Sequence, residues 1–378
     1  MKNMKTAIIK LLILLLTGNL FFSGCNKEEP KLFVGRFTKP GEKGMSVYEL
    51  NKRKGELTLI SEVDAGPSPA FMCFSEERGL VYAANEVMEF GGVFGGGITT
   101  LRYDGETGSF DKVGEIHIPY GGPCHISLSH DGDYLLVANY PNGSVAVVRL
   151  DKNGIPEEIT DIFLYLKESP DNSNAHMILQ DPGGKRVYVT DLGMDRIVIY
   201  NLDTVNGKLI EVENGIITLP RRSGPRHFTF NADGSMLYLI NEFGSTVMVF
   251  KVDDVKGLIH LQTIPTVREG FITDNYCADI HISNDGRFLY GSNRGENTIV
   301  IFRIANDGTL SLAGHASCGG DWPRNFTFDP SGKFLIVGNQ KSNYISLFKV
   351  DRKTGFPVGE SKNYEIGMPV FHKFVLLK

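Results

Sequence analysis

The sequence lacks a strong charge of either sign and lacks a second apolar run that could span a membrane. Its 378 residues include 39 Lys and Arg against 44 Asp and Glu, so the formal net charge is −5. Proteins that bind nucleic-acid phosphates need a basic stripe, so this mildly acidic balance argues against a nucleic-acid partner. No run of about 18 apolar residues occurs after the N-terminal segment. Membrane contact would therefore be made through lipid alone.

Cysteine is scarce, with five residues in all. Those that follow the N-terminal segment are Cys73, Cys124, Cys277 and Cys318. None of them forms the close Cys-x-x-Cys pair typical of zinc ligands. Each lies at or near the inner strand of a repeat, where a lone thiol is usually a small buried apolar group. Export would permit disulfides, but the sequence does not pair these thiols.

Motifs for several other chemistries are also missing. A Gly-x-Ser-x-Gly nucleophile turn is absent, which disfavours a serine hydrolase. The Gly-rich stretch over 91–97 lacks the Lys and the strand-turn-helix setting of a phosphate-binding loop. The Asp-Gly turns lack the ligand spacing of a calcium loop. The sequence therefore predicts neither a metal nor a cofactor.

The first 24 residues predict a bacterial lipoprotein signal rather than part of the folded domain. Three lysines precede or interrupt a short apolar run at 11–16, and the small pair Ser23-Gly24 comes directly before Cys25. This order is typical of a secretory signal, and its ending resembles lipoprotein signals, which are cleaved before a Cys that then carries lipid. We therefore expect lipidation of Cys25, a tether over 25–30, and export to the cell envelope at the outer membrane or facing the periplasm. The alternative is an ordinary secretory signal followed by an incidental Cys.

One segment returns seven times along the rest of the chain. Each copy has a small residue or Pro, an apolar strand, an Asp-Gly-type turn, a second strand and then Asn or Asp. The copies begin at positions 70, 123, 175, 225, 277, 323 and 369. A period in this range, with enough chain for four strands per unit, is typical of a β-propeller, whose units must stack around an axis to cover their apolar faces. The sequence therefore predicts an all-β, seven-bladed β-propeller with four-stranded antiparallel blades over 31–378.

The two ends of the chain complete each other in this scheme. The segment KLFVGRF at 31–37 resembles the second strand of a repeat, while PVFHKFVLL at 369–377 is a first strand with nothing after it. We therefore predict a composite closing blade with one C-terminal and three N-terminal strands, which removes the free sheet edges. The longest departure from the repeat is GGVFGGGITT at 91–100, which is either a mobile hairpin or a flap over the central mouth.

Repeat register brings one set of positions to a single mouth of the ring, because a first strand starts where its antiparallel partner ends. Most of these positions hold uncharged residues, but one arc carries His176, Arg226, Glu242, Arg294 and Arg324. Glu86 and Gln340 occupy the corresponding positions in two other strands, and with Arg324 they are predicted to bind substrate. The alternative is a set of solvated rim residues. His125 and His227, one residue further along, are expected to point to the opposite side and to be packed or rim groups.

The composition of this arc favours a site for an anionic carbonyl substrate. Arginine donates paired hydrogen bonds to carboxylate or phosphate and stays charged at any working pH. Histidine and glutamate can move protons. We therefore expect the arc to hold an anion, polarise a carbonyl group and activate water, although the residues alone do not apportion base and acid between His176 and Glu242.

Four motifs resemble the seven-bladed lactonase family, which contains propeller-type 6-phosphogluconolactonases and the fungal carboxymuconate lactonising enzyme. They are AHMILQDPGGKRVYVTDLG, GPRHFTFNADGSMLYLINE, SNRGENTIVIF and PRNFTFDPSGKFLIVGNQ. The resemblance places the family's proposed active-site residues on His176, Arg226, Glu242 and Arg294. It implies lactone hydrolysis without a metal, on an anionic sugar lactone or a related acid.

The implied substrate is 6-phospho-glucono-1,5-lactone, which water converts to 6-phosphogluconate. Because that lactone is made in the cytosol and this chain is predicted to be exported, another anionic lactone is a second reading. The third is a non-catalytic exported propeller that binds a glycan or a protein through the same mouth, since the fold alone does not choose between them.

Overall fold

A computed structural model describes residues 29–39, 41–165 and 173–378. The predicted signal and the predicted lipidation site at Cys25 lie outside these ranges. All regular elements in the described chain are β-strands, arranged as seven four-stranded sheets and one small two-stranded sheet. No helix in these ranges is long and apolar enough to cross a membrane.

Within the first three blades, the strands run outward from the axis in chain order. Blade 1 contains β4 (Pro69–Ser75), β5 (Leu80–Asn85), β8 (Gly96–Tyr103) and β9 (Phe110–Ile118). Blade 2 contains β10 (Pro123–Leu128), β11 (Tyr134–Asn139), β12 (Ser144–Leu150) and β13 (Pro156–Leu164). Blade 3 contains β14 (Ala175–Gln180), β15 (Val187–Asp191), β16 (Arg196–Asp203) and β17 (Lys208–Thr218).

The next three blades repeat the same order. Blade 4 contains β18 (Pro225–Phe230), β19 (Met236–Asn241), β20 (Thr246–Asp253) and β21 (Gly257–Pro265). Blade 5 contains β22 (Tyr276–Ile282), β23 (Phe288–Arg294), β24 (Thr298–Ile304) and β25 (Leu310–Ser317). Blade 6 contains β26 (Pro323–Phe328), β27 (Phe334–Asn339), β28 (Tyr344–Val350) and β29 (Pro357–Glu365).

The seventh blade is the composite one that the sequence predicts. Its sheet has the order β3 (Glu56–Val63), β2 (Met45–Asn51), β1 (Lys31–Arg36) and β30 (Pro369–Val375). The C-terminal strand pairs antiparallel with the first strand of the chain, and Val34 lies opposite His372. This pairing closes the ring and confirms the predicted one-plus-three arrangement.

The core is divided among the seven interfaces between neighbouring blades. Alternating residues of a strand point to opposite faces, so one strand serves two interfaces. In β19, Leu239 packs toward blade 3 while Ile240 packs toward blade 5. All six residues of this strand are buried. A blade is therefore apolar on both faces, and its stability depends on both of its neighbours.

The repeated Asn at the end of the second strand anchors the connection between blades. Asn85 is fully buried, and its side-chain amide donates to the carbonyl oxygens of Ala65 and Pro67 at 2.8 and 3.0 Å. Thr99 donates to its side-chain oxygen at 2.8 Å. Since buried amides are costly unless they are hydrogen-bonded, this network fixes the backbone next to the mouth position that follows.

The first repeat begins one residue earlier than the sequence pattern indicates. Pro69 pairs with Asn85 as Pro123 pairs with Asn139. Ala70, and not Phe71, therefore occupies the mouth position in blade 1. The repeat pattern alone assigns the mouth residue after the second strand in six blades only. In the seventh, composite blade this residue is Phe37, directly after β1.

The Gly-rich insertion forms a small hairpin of β6 (Glu89–Phe90) and β7 (Val93–Phe94). It follows Glu86 on the mouth side of blade 1. Phe90 is buried, whereas Val93 and Phe94 are 55% and 62% exposed. The segment is therefore a hairpin whose tip points into solvent in this structure.

The closing strand should contribute strongly to stability through Phe371, which is 3% exposed and packs against Phe71 with ring centroids 4.8 Å apart. We expect Phe371→Ala to lower the free energy of unfolding by about 3–5 kcal/mol, because it removes a large buried side chain and leaves a cavity. Phe94→Ala, at the exposed hairpin tip, should have almost no effect. Urea unfolding followed by tryptophan fluorescence measures both, and equal losses would contradict this account of ring closure.

Candidate active site

A β-bulge at the start of the first strand sets the direction of the mouth side chains. In blade 4, Pro225 pairs with Asn241 and His227 pairs with Ile240, so that Arg226 is the extra residue. The same register shift occurs at the start of the first strand in blades 1, 2, 3, 5 and 6. A bulge interrupts strict alternation and re-aims the side chains around it.

The bulge makes the predicted orientation of the second-position histidines wrong. Arg226 Nη1 donates to the carbonyl oxygen of Ala278 in blade 5, and His227 Nδ1 lies 2.8 Å from Asp279 Oδ1 in the same blade. Two consecutive side chains therefore lean toward one neighbour. His125 also faces the axis, with its ring centroid 5.9 Å from that of His227. Both histidines are buried, as the packed reading expects.

The centre of the mouth is one carboxylate shared by two guanidinium groups. Glu242 Oε2 lies 2.9 Å from Arg226 Nε and 2.8 Å from Arg294 Nη2. Arg294 also donates to the carbonyl oxygens of Tyr276 and Cys277 at 3.0 and 3.2 Å. Burial and then the charge of Arg226 lower the pKa of Arg294 to about 9. The three side chains together carry a net positive charge. Because they are largely buried from water, this charge attracts a bound anion strongly.

His176 completes this group as a neutral imidazole. Its ring centroid lies 5.1 Å from that of His227 and 5.5 Å from that of Tyr140. Burial, followed by the nearby charge of Arg226, holds the pKa of His176 well below its ordinary value. Its Nδ1 is buried and finds no hydrogen-bond partner within the described ranges. A neutral ring with an unpaired nitrogen can accept a proton.

The other predicted mouth residues form a second, looser group. Arg324 Nη2 lies 3.8 Å from Glu86 Oε2, and its guanidinium sits 5.2 Å from the ring centroid of Phe37. Burial raises the pKa of Glu86, although the charge of Arg324 opposes that shift. Glu86 Oε2 and Gln340 Oε1 are buried without a hydrogen-bond partner in the described chain. The structure thus brings Arg324 near Glu86, while no hydrogen bond or ion pair in the described chain connects the Gln340 side chain to the other predicted site residues.

A polar network that sequence reasoning missed lies directly below the mouth. Asp279 accepts contacts from His227 and His281 at 2.8 Å each, and Asn325 donates to the same carboxylate at 2.5 Å. Burial acts to raise the pKa of Asp279, but the two histidines outweigh it, so that the pKa lies below its ordinary value. His372 Nδ1 lies 3.1 Å from Asn325 Oδ1. The available signal was positional, since Asp279 follows Ala278 as His227 follows Arg226.

The remaining polar chemistry in the described chain is limited. No group of three or more His, Cys, Asp or Glu side chains in residues 29–39, 41–165 and 173–378 is placed to share a metal ion. The four cysteines of these ranges are buried and free, as expected for small packed groups. Burial raises the pKa of the Cys277 thiol to about 11, so these thiols are poor nucleophiles.

The family model for the seven-bladed β-propeller lactonases matches residues 31–374. The chain belongs to this family. Its match spans nearly the whole described propeller, including the arc from His176 to Arg324. The family assignment therefore covers both the fold and the blades that carry the candidate site.

Two relatives and one solved structure illustrate the likeness. A 6-phosphogluconolactonase of Formosa agariphila is 34% identical over 338 residues, which cover 86% of this chain and 93% of the relative. A 6-phosphogluconolactonase of Bacillus subtilis is 26% identical and covers 91% and 97%. The periplasmic gluconolactonase of Pseudomonas aeruginosa superimposes with a TM-score of 0.85 at 29% identity, covering 93% of this chain and all of its own.

Acid should destabilise the fold through the buried axial histidines. Burial lowers the pKa of His372 to about 3 from its ordinary 6.5, and that of His227 to about 4. Since the unfolded chain binds these protons near pH 6.5 and the folded chain does not, stability is lost as pH falls below 6.5. Asp279 has a lowered pKa, so the stability that its ionised carboxylate contributes is lost only in stronger acid.

We expect His372→Asn to reduce the slope of unfolding free energy against pH by about one proton, or about 1.4 kcal/mol per pH unit, between pH 6 and 4.5. His260→Asn is the matched control, because His260 is exposed on β21. Urea titrations at several pH values measure both slopes. An unchanged slope in the His372 variant would contradict the buried neutral state.

Proposed function

We propose that the protein hydrolyses a sugar lactone at this mouth, with 6-phospho-glucono-1,5-lactone as the representative substrate. The observation that carries the proposal is the Glu242 carboxylate held between two buried guanidinium groups beside a neutral histidine. Support also comes from the family assignment and from the names of the relatives, which are phosphogluconolactonases and a gluconolactonase.

Arg226 and Arg294 stabilise the negative charge that develops on the carbonyl oxygen. Their guanidinium groups are fixed in advance by Glu242 and by backbone carbonyls, so little reorganisation is needed during the reaction. Glu242 orients both arginines through one oxygen. Charged groups fixed in a buried site stabilise the transition state more strongly than the same groups would in water.

His176 accepts the proton of the attacking water. As water adds to the carbonyl carbon, the carbonyl electron pair moves to oxygen and the proton moves to the imidazole. The tetrahedral intermediate then collapses, the bond between carbon and ring oxygen breaks, and His176 returns the proton to that oxygen. The product is an open-chain hydroxy acid, which ionises at neutral pH. Glu242 is less suited to the role of base because its Oε2 is engaged by both guanidinium groups.

Arg294→Gln should lower kcat for lactone hydrolysis by about 100- to 1,000-fold, the range found when one oxyanion donor is removed. Arg287→Gln is the matched control, because Arg287 is exposed and pairs with Asp285 away from the mouth. A pH-stat assay on phosphorylated and plain sugar lactones measures turnover. Full activity in the Arg294 variant would disprove the assignment, and saturable binding without turnover in the wild type would favour a binding protein.

The same variant tests the role of His176. In the wild type, kcat/KM should stay level as pH falls through 6.5 and decline only in stronger acid, because the pKa of the His176 base is lowered. Arg294 is one of the charges that lower this pKa. Its removal should therefore move the decline to higher pH, and an unchanged profile would argue against His176 as the base.

We further propose that the chain is exported and lipid-anchored at Cys25, as the first 25 residues of the sequence favour. The periplasmic location of the Pseudomonas gluconolactonase supports export. Cys25→Ser should release an active, folded protein into the soluble fraction, because the ring begins only at Lys31. Cell fractionation and the mass of the mature N-terminus measure this. Wild-type protein that is wholly soluble and carries no added mass at Cys25 would contradict the lipid anchor.

A further inference from the structure

We infer that blade 6 carries an anion site beside the reaction centre, formed by Arg324 and Lys341, which binds the phosphate of a phosphorylated sugar lactone. The inference rests on the proposed lactonase function, since it assigns the distal end of the same substrate. It bears on the choice between the phosphorylated and the plain sugar lactones that the relatives' names contain.

Four of the six guanidinium nitrogens of the two reaction-centre arginines face Glu242 or a backbone carbonyl. Arg226 places Nε against Glu242 and donates from Nη1 to a backbone carbonyl. Arg294 uses Nε on one carbonyl and Nη2 on a second carbonyl and on Glu242. Each arginine keeps one terminal nitrogen for the lactone carbonyl oxygen, which develops a single negative charge. A phosphate carries up to two charges and three acceptor oxygens, and so needs further donors.

Blade 6 presents two cations, Arg324 and Lys341, that form no close ion pair with a carboxylate. The nearest carboxylate oxygen to the Arg324 guanidinium is Glu86 Oε2 at 3.8 Å, which is beyond hydrogen-bond distance. Lys341 is exposed, and no carboxylate in the described chain lies within ion-pair distance of its ammonium group. The carboxylate of nearby Asp321 instead accepts from Asn297 at 2.8 Å.

Both cations rest on aromatic rings. Arg324 lies 5.2 Å from the ring centroid of Phe37, and the Lys341 Nζ lies 3.2 Å from that of Trp322. A cation over a ring face is positioned by electrostatic attraction, while the donors that point away from the ring stay available. Such placement prepares a charged group for an incoming anion without neutralising it.

Trp322 also connects this site with the reaction centre. Its ring centroid lies 5.4 Å from the Arg294 guanidinium, so Arg294 and Lys341 both lie against the same indole. Because both cations contact one indole, a hexose ring with its terminal phosphate can reach from one to the other. A lactone carbonyl at Arg294 therefore leaves the far end of the sugar near Lys341.

The indole is held in place by an unusual backbone conformation. Trp322 has a φ of +67°, which is rare for a bulky residue. Its backbone N–H donates to Asn297 Oδ1 at 3.0 Å, and its carbonyl accepts from the Gln340 N–H at 3.1 Å. The residue directly before the first strand also has a positive φ in blades 1, 2, 4 and 7, so this conformation belongs to the repeated frame of the ring and positions the indole through it.

Calorimetric binding of 6-phosphogluconate and of gluconate tests the site, because the two open-chain acids differ only in the phosphate. We expect the wild type to prefer 6-phosphogluconate, and Lys341→Met to weaken that binding about five- to tenfold while leaving gluconate unchanged. Arg324→Gln should weaken 6-phosphogluconate further. Lys333→Met is the matched control, since Lys333 is exposed in the same blade in the turn between β26 and β27. Inorganic phosphate should compete with 6-phosphogluconate in the wild type and less well in the Lys341 variant.

Equal affinity of the wild type for the two acids, or an equal loss of both in Lys341→Met, would overturn the anion site. If the anion site is overturned in this way but the pH-stat assay shows hydrolysis of both lactones, the proposed function is retained. A wild type that prefers 6-phosphogluconate but hydrolyses neither lactone would instead overturn the proposed function and retain the site. Thermal melting of each variant separates loss of binding from loss of fold.

Discussion

The pairing of β30 with β1 holds the whole propeller together. Every blade is apolar on both faces, so none is covered until the ring closes around the axis. The last strand of the chain completes the sheet that the first strands begin, and it brings Phe371 and His372 to the axis beneath the mouth. Closure thus supplies the stability of the domain and also one wall of its central channel, because the innermost strands are the channel lining.

A nearly symmetric scaffold supports an asymmetric site. The repeated Asn and the bulge at the start of the first strand give equivalent mouth positions a similar backbone in most blades. What differs is the side chain placed there, from Ala70 in blade 1 to Arg226 in blade 4. Charged side chains are therefore concentrated on blades 3 to 6, and among the remaining mouth positions only Glu86 is charged. This separation of a rigid frame from variable site residues suits a preorganised active site.

The charged groups at the mouth are expensive to bury and are arranged to offset that cost. Arg226 is 2% exposed, and a buried ion is tolerated only when it is paired and its donors are satisfied. Glu242 forms an ion pair with both inner arginines, and backbone carbonyls of blade 5 accept hydrogen bonds from each of them, although the Arg226 Nε itself makes no hydrogen bond in the described chain. Arg324 and Lys341 follow another solution, in which aromatic faces hold the cations near the surface and leave their donors exposed. The ion-paired arginines suit a developing oxyanion, and the cations held on aromatic rings suit a permanent anion at another part of the same substrate.

Repeat period and strand register, both readable from the amino-acid order, are enough to specify the seven-bladed ring, the composite blade and most residues of the mouth, with Ala70 and Phe37 as the exceptions. His176, Arg226, Glu242 and Arg294 share that register and do converge. The three-dimensional packing was needed to establish which of them touch, that Arg324 reaches Glu86 across the composite blade, and that His227 turns toward the axis. The reason is that a bulge reverses the side on which a residue lies, while contacts across an axis join residues from repeats whose local patterns are independent of each other.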